Sequence, residues 1–451
     1  MLILISVPLC LGSIHAISME FYPTEVRATA AGIAGTLGTF IFAGLPPVIV
    51  DVLTTRYDMP LAPAFVIVGT AVIGLLAAWG LPDTRKIDLE TVGTSSEGSR
   101  RSRAHGTEYP AGSHRDGREG HQDRQQRRNS VSDGEILVIG GGIGGLTAAL
   151  AIARSGRAVR VLERAPEFAE IGAGLQLAPN ATRLLDRLGV LDACVEVGVL
   201  PERLVFNDAL TGERLTHLDL GEGFRRRYGG PYVVMHRSDL LRILVEACRA
   251  QGVALENGKQ VDTVTTEPGG VTVTCADGSH HTGVLAVAAD GLRSGSRGRL
   301  SDDEPIDSGY VAYRGAVPLD EVTGPVSLSE VVVWFGPGLH LVQYPLRSGR
   351  LFNQVAVFRS PGFAAGDPDW GNPDELDAAF SVTCESVRMA IPSLWRTNRW
   401  PMYDREPLDN WLTGRTVLLG DAAHPMLQYL AQGACQAIED GVSLAARWTG
   451  T

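Results

Sequence analysis

Hydrophobic and polar positions follow three different rhythms along the chain. The first is continuous. Residues 1–19 contain no Asp, Glu, Lys or Arg, residues 28–50 form a 23-residue uncharged run, and Leu61 to Leu81 form another. About 20 apolar residues span a bilayer core, so the last two runs predict transmembrane helices. A buried core helix is the alternative, and two such lengths within the first 81 residues count against it. The opening run lacks the basic flank of a signal peptide. Arg27 before the second run and Arg85-Lys86 after the third put both flanks on the cytoplasmic face, with Arg56 weighing against.

The second rhythm is an absence. Residues 93–130 hold no Leu, Ile, Val, Phe, Met or Trp, too little apolar surface to offset the entropy of ordering. A disordered linker is expected over 87–133. Its eight Arg between 100 and 128 are diluted by four acidic residues, which favours a solvated tether over a binding patch.

The third rhythm begins at Glu135 and alternates strand with helix. "EILVIGGGIGGLTAALAIARSGRAVRVLER" reads as a buried strand at 135–139, a glycine turn, a helix near 144–155, Gly156 as its cap, and a strand at 158–163. Two later apolar strands end in Asp/Gly turns, "VAADGLRSGSR" at 287–297 and "TVLLGDAAHP" at 416–425. A helix near 431–445 follows the second. In "LHLVQYPL" the alternation places His340, Val342 and Tyr344 on one face of a strand.

Charge and cysteine usage remove some function classes. The net charge of -11 argues against a general nucleic-acid binder. Cys10, Cys194, Cys248, Cys275, Cys384 and Cys435 include no CxxC pair, so neither a disulfide framework nor a zinc site is expected. No metal is expected.

Gly140, Gly142 and Gly145 form GxGxxG between a strand and a helix. The first glycine permits the turn, the second lets a pyrophosphate approach, and the third lets helix pack on strand. The free N–H groups and positive end of that helix suit phosphates. Glu163 stands 18 residues after Gly145, where its carboxylate can take a ribose 2′-hydroxyl, with Arg164 beside it. A carboxylate there suits FAD or NAD and not a 2′-phosphate. A bare glycine turn is the alternative, and the full strand–helix–strand context disfavours it.

The order of these motifs resembles the class A flavoprotein aromatic hydroxylases over residues 134–451. The resemblance implies an α/β fold, a Rossmann-like FAD-binding domain with an interleaved β-sheet substrate domain. It implies that FAD is held by Gly140, Gly142, Gly145, Glu163, Arg164, Gly174, Arg237, Asp290, Gly420 and Asp421, with Gly172 in the same loop as Gly174. Asp421 would meet the ribityl chain, Asp290 would also serve the nicotinamide nucleotide, and His424 would belong to the FAD turn. NADH is expected as reductant ahead of NADPH, and O2 as co-substrate. The family continues past the Gly-Asp helix, so an end at Thr451 implies missing helices and a weakened homodimer.

"GYVAYRGAVP", "VVWFGPGLHLVQYPLRSG", "MYDREPLDNW" and "HPMLQYLAQGACQAIEDG" are similar to the hydroxybenzoate-hydroxylating branch of that family. Carried over by position, His340, Tyr344 and Gln428 are the catalytic polar residues, acting on a small aromatic acid. Conversion of 3-hydroxybenzoate to gentisate is implied, with salicylate 1-hydroxylation as the alternative. A ring bearing a carboxylate is a poor nucleophile, and a His with a pKa near neutrality is suited to deprotonate its hydroxyl. The substrate anion needs a local Arg that the sequence does not single out. Residues 1–86 resemble the end of a major facilitator superfamily organic-acid transporter, giving an all-α transmembrane fragment. Insertion through residues 28–81 would put the catalytic domain at the cytoplasmic side of the inner membrane, and a fragment that does not insert leaves it cytoplasmic. A fused gene pair yielding a non-catalytic, membrane-tethered fragment is the reading of another class.

Overall fold

A computed structural model describes residues 134–168 and 173–449. The transporter-like span 1–86, the linker 87–133 and Gly172 lie outside the described residues. Among the described residues no helix is long and apolar enough to cross a membrane, and the runs 28–50 and 61–81 are not among them.

Strand β1 (Ile136–Ile139) is four apolar residues, all buried, the pattern of a central parallel strand covered on both faces. It pairs in parallel with β2 (Val159–Leu162) and β11 (Leu285–Ala288). β7 (Ala254–Glu256) extends the sheet beyond β2, and β18 (Thr416–Leu418) extends it beyond β11. The short β17 (Leu412–Thr413) closes that edge antiparallel, giving the order β17-β18-β11-β1-β2-β7.

Helix α1 (Ile143–Arg154) follows the glycine turn and is buried along nearly its whole length. It lies against α2 (Arg237–Ala250) and α3 (Gly433–Thr449). A Cβ on Gly441 of α3 would come within 2.8 Å of the Ala148 nitrogen, so the absence of a side chain sets the spacing of the two helices. Two glycines make the turn itself. Gly140 has φ +100°, and a Cβ on Gly145 would fall 2.0 Å from the Gly140 carbonyl oxygen.

A second sheet is interleaved with the first along the chain. Its order is β16 (Trp400–Asp404), β12 (Ile306–Pro318), β15 (Leu351–Arg359), β14 (Leu339–Leu346), β13 (Glu330–Gly336), β4 (Arg203–Asp208), β5 (Arg214–Asp219). All neighbours are antiparallel except the β13–β4 pair. Two small sheets complete the set, β3 (Gly174–Leu177) with β6 (Val233–His236), and β8 (Val261–Glu267), β9 (Gly270–Cys275) and β10 (His280–Gly283). The interleaved α/β organisation expected from sequence is present. Boundaries moved by a few residues: the helix expected near 431–445 runs Gly433–Thr449, and Glu163 stands just past β2 and not within it.

Candidate active site

The ends of β1, β2 and β11, the turn after β18 and one face of the second sheet enclose a cavity of ≈ 1030 Å³. Of the residues singled out from sequence, Gly140, Gly142, Glu163, Arg164, Gly174, Arg237, Asp290, Gly420, Asp421, His340, Tyr344 and Gln428 all line it. Gly145 does not; it lies behind the turn, where its lack of a side chain lets α1 approach Gly140.

At one end the cavity is built for an anion. The α1 N-cap is Gly142, with no side chain capping the first turn, and a Cβ there would meet nothing within 4 Å. Uncapped N–H groups and the helix dipole therefore face open space. The Glu163 carboxylate accepts from Gly141 N–H at 2.6 Å and Ala165 N–H at 2.8 Å, which fixes it at the tip of β2. Each of its oxygens keeps a lone pair for a ribose hydroxyl.

The Gly-Asp turn forms the opposite wall of that end. Asp440 of α3 accepts from Gly420 N–H at 3.0 Å and pairs with His424 Nε2 at 2.6 Å. That bond raises the His424 pKa against the opposing effect of burial. His424, expected to belong to the turn, thus ties the turn to α3 through Asp440. Asp421 sits close to the start of α3, whose Gly433 also lines the cavity. Asp290 accepts from Ser294 Oγ–H at 2.6 Å and Ser296 N–H at 3.2 Å, so its carboxylate shapes its own loop. This donor set, an open helix N-terminus, a strand-end carboxylate and a second helix start beside Asp421, fits FAD.

The second sheet supplies the other end. His340, Val342 and Tyr344 face the cavity while Leu339, Leu341 and Gln343 face away, as the alternation predicted. The His340 ring packs against Tyr429 at 5.5 Å and Phe335 at 6.4 Å between centroids. The expectation of a near-neutral pKa is corrected: burial lowers it from 6.5 to about 4. The imidazole is therefore neutral at physiological pH, with a ring nitrogen open to a proton, but it is a weaker base than a near-neutral histidine would be. Tyr344 is 2% exposed, and burial pushes its phenol well above the usual range, so it remains a donor. Gly174 gives it room, since a Cβ there would stand 2.5 Å from its ring. Gln428 lies in a short turn that ends at Ala431 with φ +53°. Its Oε1 accepts from Arg314 Nη2 at 3.0 Å, while its buried Nε2 donors have no partner.

Two arginines of this region were given no role by the sequence. Arg314 is one, lining the cavity from the middle of β12. Its signal was a lone cation in the apolar strand segment "GYVAYRGAVP". Arg297 is the other, fully buried and bound to Asp303 at 2.9 Å and to the Ala423 carbonyl at 2.7 Å. It stood inside a quoted turn, but its partners are far along the chain, and no local pattern marks them.

Comparison with known proteins agrees with this geometry. The family described as FAD binding domain matches residues 133–448. The 3-hydroxybenzoate 6-hydroxylase of Polaromonas naphthalenivorans (strain CJ2) is 40% identical over 319 residues, covering 70% of this chain and 79% of the relative. The 3-amino-4-hydroxybenzoate 2-monooxygenase of Streptomyces cremeus is 39% identical over 312 residues, 69% of this chain and 78% of the relative. The crystal structure of Klebsiella pneumoniae HpxO complexed with FAD and uric acid superimposes with a TM-score of 0.62 at 31% identity, over 70% of this chain and 80% of that one. Together with the glycine turn, the Glu163 tip and the Gly-Asp turn on a single cavity, these matches show that the chain belongs to the FAD-dependent aromatic hydroxylases.

Proposed function

We propose that this enzyme hydroxylates a phenolic aromatic acid using NADH and O2, with 3-hydroxybenzoate to gentisate as the preferred reaction. The supporting observation is one cavity whose far end carries a neutral His340, a protonated Tyr344 and an amide donor on Gln428. FAD would be held by the α1 N-terminus, Glu163, Arg237 and Asp421, and when bound it supplies the two-electron chemistry that lets NADH activate O2. The balance is one oxygen atom into the ring and one into water, with NADH and a proton consumed.

The protein's own part is to make the ring react. A carboxylate withdraws electron density, and removal of the phenolic proton returns it to the ortho and para carbons. His340 takes that proton at its free ring nitrogen. Tyr344 and Gln428 donate hydrogen bonds that fix which carbon is presented. Position 6 is para to the hydroxyl of 3-hydroxybenzoate, which gives 2,5-dihydroxybenzoate. The similarity to a 3-hydroxybenzoate 6-hydroxylase supports this choice. Residues 134–451 are assigned to this hydroxylase unit.

The test is product identity. The FAD-loaded enzyme should oxidise NADH faster with 3-hydroxybenzoate present and release gentisate in step with NADH consumed. Catechol from salicylate, or a product from 3-amino-4-hydroxybenzoate made faster than gentisate, would replace the substrate assignment.

A further inference from the structure

Arg314 lacks an acidic partner in a place where burial makes that costly. Its guanidinium sits inside the cavity over the Trp400 ring, 5.5 Å from the centroid, and its Nε–H is buried without an acceptor. The one neutral acceptor it has is Gln428 Oε1. Among the described residues no Asp or Glu forms an ion pair with it. The carboxylates that line the cavity (Glu163, Glu167, Asp290 and Asp421) belong to the cofactor end, and none contributes to its titration. The nearest other charge that reaches it is a second cation, Arg237, since Tyr344 stays protonated. An isolated buried cation is expensive, so such a site favours an anion.

Register places this cation in relation to the base. Arg314 pairs with Val355 on β15, Val355 with Val342 on β14, and Val342 with Val333 on β13. All four line the cavity and form one row across the sheet, with His340 and Tyr344 on either side of Val342 along β14. Adjacent strands lie about 4.8 Å apart, so Arg314 starts roughly 10 Å from Val342 and reaches inward on a long stem. An aromatic acid can lie across the valine floor with its hydroxyl at His340 and its carboxylate at the opposite side.

We propose that Arg314 is the residue that binds the substrate carboxylate, with Gln428 holding its guanidinium in place. This rests on the reading of the site as an aromatic-acid hydroxylase. It requires that the ligand be an anion, and a planar guanidinium can hold a carboxylate through two parallel hydrogen bonds.

The experiment is a titration of the full-length, FAD-loaded enzyme followed by the flavin spectrum. The ligands are 3-hydroxybenzoate, benzoate and the neutral 3-hydroxybenzamide, and the proteins are wild type, Arg314→Gln and Arg314→Lys. Arg314→Gln should weaken both acids by roughly 30-fold or more, the scale of removing one partner of a buried charge pair. It should leave the amide within about a factor of two, and Arg314→Lys should recover part of the acid affinity. A merely structural Arg314, holding the Gln428 turn, would weaken acid and amide alike, and that result overturns the proposal. Unchanged acid affinity, or a wild type that binds the amide as tightly as the acid, overturns it too. Wild-type enzyme that binds acids through Arg314 but forms no gentisate would sink the substrate assignment and leave the carboxylate site standing.

Discussion

A histidine is useful as a base only if it is neutral when the substrate arrives. The apolar and aromatic surroundings of His340 depress its pKa from 6.5 to about 4. The proton-accepting form is therefore present throughout the neutral range. It follows that kcat/KM should stay level as pH falls through 6.5, because no essential base titrates there. An acid limb centred at 6.5 would show that His340 is either solvated or not the base. His340→Ala should keep FAD, since the residue lies on β14 and not in the glycine turn. It should lower hydroxylation by roughly 100-fold or more while NADH is still oxidised and peroxide released. The gentisate-to-NADH ratio checks this, and an unchanged ratio and rate would make His340 an ordinary wall residue. Strand alternation put this residue on one face with Val342 and Tyr344, but its role as base came only from the family resemblance, and its pKa was not legible at all. Burial comes from Phe335 on β13 and Tyr429 in a distant turn, contacts that only the folded sheet creates.

Elements were legible where one local rule decides them. The β1–α1–β2 unit follows from apolar runs and glycines, and it appears within one residue of the expected limits. The second sheet's order was not legible: Pro337-Gly338 and Ser348-Gly349 mark the β13–β14 and β14–β15 hairpins, but β12 with β15 and β13 with β4 pair across long stretches of sequence that no turn residue announces. The link between α3 and the Gly-Asp turn was also hidden: Asp440 lies 20 residues beyond Gly420 and fastens both its N–H and His424. That clamp has a pH sign. His424 has a raised folded-state pKa, so its ion pair contributes fully below the unfolded value of 6.5. The contribution is lost as pH rises through the folded value. Thermal midpoints of the FAD-loaded enzyme should therefore fall on the alkaline side of 6.5, and Asp440→Asn should flatten that slope. A variant with the same slope as wild type would detach the clamp from the turn's stability.

At the scale of the described unit, two sheets must keep a fixed relation for cofactor and substrate to share one cavity. The buried Arg297 is placed to do this. It reaches from the loop after β11 to the Ala422 and Ala423 carbonyls after β18, and to Asp303 just before β12. Arg405, following β16, binds the same Asp303 at 2.8 Å, and Glu406 gives its carbonyl to Arg297. Hydrogen bonds from Arg297 and then Arg405 hold the Asp303 carboxyl well below its usual 3.8. Because that folded-state pKa is depressed, the stabilisation is complete above 3.8 and disappears as pH falls towards the folded value. Arg297→Met removes a fully buried guanidinium and leaves the half-buried Asp303 carboxylate with a single remaining cation, and should cost about 3 kcal/mol, with FAD released more readily. Asp303→Asn should destabilise strongly at pH 7 and much less in acid, where the wild-type carboxyl is itself protonated. Denaturant unfolding of wild type and Asp303→Asn at both conditions reads the difference directly. A gap that stays constant as the pH falls would mean that Asp303 acts through its shape and not its charge. The two sheets would then be held by packing alone.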